Sequence, residues 1–357
     1  MRIADFYQRL AESGARPVHS RAVVRAWLQG KALDAGTRRQ PAYQLPLALR
    51  HNLPALNEQL DALARLHAEH PGAEGAARLL VELGDGKMVE SVLLPREGLC
   101  VSTQVGCAVA CRFCMTGRSG LQRQLSSMEI IAQVVLARRM RPVKKVVFMG
   151  MGEPAHNLDN VLEAIEILGS EGGIGHKNLV FSTVGDRRVF ERLPKMRVKP
   201  ALALSLHTTK PELRDYLLPK APRLTPAELM ELSEDYARRV GYPIQVQWTL
   251  LKGINDGDDE LEAIVPLFRG KYAVLNIIPF NASDGDDSCA NNSGASDSGS
   301  ADFSGGNYQR PDGERIIAMV RYLHSRGVLT KVRNSAGQDV EGGCGQLRAR
   351  AIGLINL

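Results

Sequence analysis

The 357-residue chain predicts an α/β fold, a partial (β/α)6 barrel behind a small helical N-terminal domain and a connecting β-hairpin. Three observations predict it. From Cys100 onward, short and almost continuous apolar stretches alternate with helical patterns, as parallel strands buried on both faces require. Two apolar runs flank Gly84-Asp85-Gly86, a strong hairpin signal. Hydrophobic residues make up 44% of the chain and charged residues 24%, enough to form a large core.

In chain order, residues 1 to about 70 read as helices. Val24, Trp27 and Leu28 share one face behind Ser20 as an N-cap, and Leu56, Leu60, Leu63 and Leu66 form a second stripe ended by Pro71-Gly72. The hairpin strands are Arg78–Leu83 and Met88–Leu94, the second containing Glu90. Six barrel strands follow: one near Val101, then Lys145–Gly150, Leu179–Thr183, Ala201–Leu206, Ile244–Leu250 and Val274–Pro279. Helices such as Ser127–Arg139 and Asn157–Leu168 fall between them, and such a fold carries its site at the strand C-termini. The expected domains are a helical one over 1–75, a hairpin linker over 76–97 and a core over 98–357. Residues 284–307 collapse into Ser, Gly, Asp, Asn and Ala, the composition of a disordered surface insertion, which makes Cys289 incidental.

The balance of 45 basic against 39 acidic residues, net +6, favours an anionic partner such as nucleic acid. The N-terminus lacks a basic start followed by an apolar run, and no stretch of about 18 apolar residues occurs, so the expected location is the cytoplasm, without a membrane. Six cysteines in such a compartment argue for metal binding or catalysis over a disulfide scaffold.

Cys107-Ala-Val-Ala-Cys111-Arg-Phe-Cys114 has the spacing C-x3-C-x2-C, unlike the paired C-x2-C of structural zinc sites or the four-cysteine ferredoxin runs. Three thiolates leave one metal position open. On a [4Fe-4S] cluster that position can be chelated by the amino and carboxylate groups of S-adenosylmethionine (SAM). Zinc with a fourth ligand from elsewhere is the competing reading. Downstream, Val146-Val147-Phe148-Met149-Gly150-Met151-Gly152-Glu153-Pro154 is an apolar strand running into a glycine turn and a carboxylate, where glycines permit close backbone approach. It resembles the segment that binds the SAM amino group in radical SAM enzymes, with Glu153 as acceptor.

With Leu99-Cys100-Val101-Ser102-Thr103-Gln104-Val105-Gly106-Cys107, Ser205-Leu206-His207 and Cys344-Gly345-Gln346-Leu347, the chain resembles the RlmN/Cfr-type radical SAM RNA adenosine methyltransferases over nearly its whole length. The resemblance implies a radical SAM barrel, a [4Fe-4S] cluster on Cys107, Cys111 and Cys114, and two SAM molecules per turnover. It also implies that Cys344 takes a methyl group, that a 5′-deoxyadenosyl radical activates it, and that Glu90 removes the proton from the adenine carbon. Cys100 then resolves the adduct through a disulfide with Cys344. SAM contacts carried over are Glu153, Pro154, Ser182, Ser205, Leu206, His207 and Asn281. The implied product is an adenosine methylated at C2, or less favourably C8, in rRNA or tRNA. The N-terminal helices look like an RNA-recognition domain, a reductase or flavodoxin-type protein is the expected electron donor, and a monomer is expected.

The chain departs from that family's pattern in the insertion after Asn281, in Arg333 to Asp339, and at Val184, which replaces a small polar residue. Phosphate neutralisation is expected from Arg138-Arg139-Met140-Arg141 with Lys144-Lys145, and from Arg21, Arg25 and Lys31. The target base must be unstacked to reach a buried cluster, so a loop or bulge adenosine is the sensible substrate. Two other readings are a radical SAM enzyme acting on a non-RNA substrate and an RNA-binding protein with a structural zinc site.

Overall fold

The computed structural model describes residues 1–35, 44–281, 308–333 and 348; Cys289 and Cys344 lie outside them. The chain opens with α1 (Ile3–Glu12), α2 (Pro17–Leu28) and α3 (Leu47–Asp61). Val24, Trp27 and Leu28 do share a buried face. Ser20, however, is inside α2, which starts at Pro17, a residue whose fixed φ suits the first helical position. The second stripe is helical only through Leu60. Leu66 sits on a strand, β1 (Arg65–Pro71), and is 40% exposed.

Next come the hairpin strands β2 (Ala77–Glu82) and β3 (Met88–Leu94), then β4 (Gly98–Cys100) and a two-stranded ribbon of β5 (Gln104–Gly106) and β6 (Leu121–Gln124). The β/α units follow: α4 (Ser127–Met140), β7 (Lys145–Phe148), α5 (Leu158–Ser170), β8 (Leu179–Thr183), α6 (Arg187–Arg192) and β9 (Ala201–Ser205). They continue with α7 (Pro211–Leu217), α8 (Pro226–Val240), β10 (Ile244–Leu250), α9 (Asp258–Phe268), β11 (Ala273–Pro279), α10 (Gly313–Ser325) and β12 (Thr330–Val332). The ten-stranded sheet has the order β1-β2-β3-β4-β7-β8-β9-β10-β11-β12. Its first three pairings are antiparallel and all those from β4 to β12 are parallel. The hairpin is thus continuous with the barrel sheet, and β12 adds a parallel strand beyond the six expected.

Helix starts follow local chemistry. Ser126 and Glu129 form a reciprocal capping box on α4, and Thr225 and Glu228 form one on α8, each satisfying amides that the first turn cannot. One apolar cluster runs from Ile3, Phe6 and Trp27 through Ile131 and Val134 of α4 to Ile165 of α5, so the N-terminal helices pack directly on the barrel's outer layer. Removing the Trp27 side chain from that layer would cost about 3–5 kcal/mol.

Candidate active site

A cavity of about 560 Å³ opens at the C-terminal ends of the parallel strands, and Cys107, Cys111, Cys114 and Cys100 all line it. The cysteine loop hangs from the β5–β6 ribbon, where the Cys107 amide donates to the Gly120 carbonyl at 3.1 Å. Its other support is α7. The Arg112 amide donates to Leu217 O at 3.0 Å, its Nε donates to Tyr216 O at 2.9 Å, and its guanidinium lies 4.2 Å from the centroid of the Tyr216 ring.

Burial pushes the Cys107 thiol up to about 12, and burial with the neighbouring thiols pushes Cys111 up as well. Without a compensating cation these groups stay protonated; iron would supply the charge that deprotonates them. Three thiols set around one corner of a cavity suit a polynuclear cluster better than one zinc ion, so the residues present fit a [4Fe-4S] group.

Glu153 is almost fully buried beside this corner. One carboxylate oxygen accepts from the Ala155 amide and the other from the Val184 amide, both at 3.1 Å. Burial nevertheless raises its carboxyl to about 7, against the lowering effect of those bonds and of Thr183. A ligand ammonium would find a partner here. The preceding glycines are needed for packing against protein as much as for a ligand. A Cβ on Gly150 would lie 2.7 Å from the Val101 carbonyl, and one on Gly152, at φ +101°, 2.6 Å from the Gln104 side chain. Val184 keeps its backbone bond to Glu153, so the unusual side chain there leaves this contact intact.

Pro154, Ser182, Ser205, His207 and Asn281 also line the cavity. Leu206 does not; its side chain is fully buried in the apolar core with Leu204 and Val246. His207 takes the left-handed φ of +67°, and its Nδ1 accepts from the Thr249 amide at 3.0 Å. Burial, then the charge of Arg214, lowers its imidazole to about 3, so the ring is neutral with its proton on Nε2. It meets the Phe113 ring of the cysteine loop edge-on, with centroids 5.0 Å apart. Glu90 is buried behind the wall. Arg78 Nη1 donates to it at 3.3 Å and the Arg348 amide at 2.9 Å, which ties Arg348 to β3. Cys344 itself lies outside the described residues.

Three supports went unnoticed in the sequence. Gln104 accepts from the Glu153 amide at 2.7 Å. Asn255 donates to His207 O at 2.7 Å and to Thr249 O at 2.8 Å, stabilising the strained turn. Arg214, fully buried, donates to the carbonyls of Val184 and Ser205 and so joins the ends of β8 and β9. Only Gln104 lay within a motif that could have signalled it.

Apart from Lys31 and Lys145, the side chains of these basic runs are engaged with the protein. Arg138 donates to Leu28 O, Gly172 O and Val143 O, Arg139 pairs with Asp61, Lys144 with Glu97, and Arg21 and Arg25 share Glu171. Arg141 donates to Gly75 O and Leu94 O. Lys145 instead turns into the cavity.

Residues 101–264 match the model of the radical SAM superfamily. A probable RNA methyltransferase of Ectopseudomonas mendocina is 68% identical over 100% of this chain and 97% of its own length. Another of Bordetella avium is 69% identical over 99% and 95%. The crystal structure of a radical SAM methyltransferase from Sphaerobacter thermophilus superposes with a TM-score of 0.76 at 30% identity, covering 97% of each chain. With such agreement across its full length, the chain belongs to the radical SAM methyltransferase family.

Proposed function

We propose that the protein methylates a ring carbon of an RNA adenosine, C2 rather than C8, in ribosomal or transfer RNA. The observation that carries this reading is that Cys100, a thiol outside the cluster triad, opens on the same cavity as Cys107, Cys111 and Cys114. An adenine C2 carbon is no nucleophile toward SAM, so methyl delivery needs an enzyme thiol as carrier and another to release the product. The names of the relatives support an RNA substrate, as do Arg112, Arg118, Lys145 and Arg333 on the cavity wall, where Arg78 is already paired with Glu90 and Glu153 is the one carboxylate among the described lining residues.

Radical SAM enzymes use a [4Fe-4S] cluster and SAM, which together supply a 5′-deoxyadenosyl radical. Cys107, Cys111 and Cys114 would hold the cluster. Glu153 would hold the SAM ammonium, with Pro154, Ser182, Ser205, the Leu206 backbone, His207 and Asn281 around the remainder. Cys344 carries the transferred carbon on its sulfur. Glu90 takes the proton that leaves the adenine carbon, and Cys100 attacks the Cys344 sulfur to form a disulfide as the methylated base departs. The helices α1 to α3 would contribute to RNA recognition, and an external reductase or flavodoxin-type protein would reduce the cluster.

Mass-spectrometric mapping of methyladenosines in RNA from cells with and without the protein tests the reading. One C2-methyladenosine should disappear with the protein. An unchanged set of methyladenosines would contradict it.

A further inference from the structure

The end of the cavity away from the cysteine loop is lined by two cations, Lys145 and Arg333, and by no carboxylate among the described residues. In the parallel register Cys100 stands beside Val147 and Gly98 beside Lys145. Lys145 therefore lies two residues, about 7 Å of strand, below Cys100 on the side away from the cysteine loop. Its side chain is half-buried in the cavity wall, with no hydrogen bond or ion pair among the described residues. Arg333, just after β12, lines the same wall. It is braced by its Nε donating to Asn276 Oδ1 at 3.1 Å and its amide donating to Ile277 O at 2.8 Å.

Burial, and then the charge of Arg333, pushes the Lys145 ammonium below the usual lysine range. Lys145 is thus held against its own desolvation and against the repulsion of the exposed Arg333. Their wall offers the amides of Gln245 and Asn276, while Glu153 belongs to the opposite, cysteine end. An oxyanion between them would relieve both penalties.

We propose that Lys145 and Arg333 form an anion subsite that takes a backbone phosphate of the RNA beside the target adenosine. The proposal rests on the RNA reading above. The SAM carboxylate offers the same oxyanion chemistry, and the test separates the two.

Anaerobically reconstituted full-length protein, wild type and the variants Lys145→Gln, Lys145→Arg and Arg333→Gln, is titrated with a fluorescent hairpin RNA carrying unpaired loop adenosines over a salt series. SAM affinity and iron content are measured in parallel. Each Gln variant should bind RNA about tenfold more weakly at low salt, with the log–log salt slope flattened by roughly 0.7–1, while SAM affinity and iron content hold. Lys145→Arg should keep the wild-type slope. Gln variants that match a wild type able to bind RNA would overturn the subsite alone. Loss of SAM affinity with RNA binding intact would assign the pair to the cofactor carboxylate and overturn it too. A wild type that binds SAM but not RNA would overturn the RNA reading and the subsite with it.

Discussion

The run from Arg138 to Lys145 and the cavity wall hold cations of two kinds. On the outer layer each guanidinium or ammonium already has its partner: Arg138 bridges three carbonyls, Arg139 and Lys144 face carboxylates, and Arg141 clasps two more carbonyls. In the cavity Lys145 shares a wall with Arg333, and Glu153 is buried against backbone amides. Adjacent residues of one basic run therefore have unrelated roles. Basic composition locates a candidate anion site only when the charge is left unbalanced by the fold.

The difference can be broken from either side. The largest expected effect is on ligand binding at the Glu153 end. Its folded-state pKa of about 7 lies above the ordinary 4.5, so the apo protein takes up a proton there that the unfolded chain does not. That contribution to stability is full below the ordinary value and is lost as pH rises toward about 7. A bound ammonium needs the ionised form. SAM affinity measured by calorimetry should then weaken about tenfold per pH unit below the folded pKa and level off above it. A flat profile between pH 5 and pH 8 would remove Glu153 from the ammonium site.

Next in size is Arg138→Met, which strips donors from three carbonyls. It should lower the unfolding free energy measured by denaturant titration by about 2–3 kcal/mol. A neutral result would mean that the outer cations are as dispensable as a surface charge. Lys145→Met should behave oppositely, with stability held within about 0.5 kcal/mol because a repelled, half-buried charge is lost. The smallest effect belongs to Arg139→Ala. Its exposed pair with Asp61 is worth at most about 1 kcal/mol, and RNA affinity should be unaltered at physiological salt.

Much of this was legible because it depends on local pattern. Met88–Leu94, Leu179–Thr183 and Ile244–Leu250 match the structural strands because apolar runs bounded by breakers leave little choice of ends. The stripe through Leu63 and Leu66 misled because helical spacing by chance extended past α3 into an edge strand, whose side chains are largely exposed. Cys107, Cys111, Cys114 and Glu153 were readable as motifs. Asn255, Arg214 and the inward turn of Lys145 were not, since each depends on backbone groups or charges brought close only by the fold. Leu206 shows the converse: a motif residue whose side chain serves the core.

The most direct test of the proposed chemistry is to incubate Cys100→Ala holoprotein with RNA, SAM and reductant, and analyse the protein by mass spectrometry. Without the resolving thiol, RNA should stay covalently attached through Cys344 and methylated product should fall to near zero. Wild-type yield of methyladenosine, with no RNA bound to the enzyme, would contradict the account.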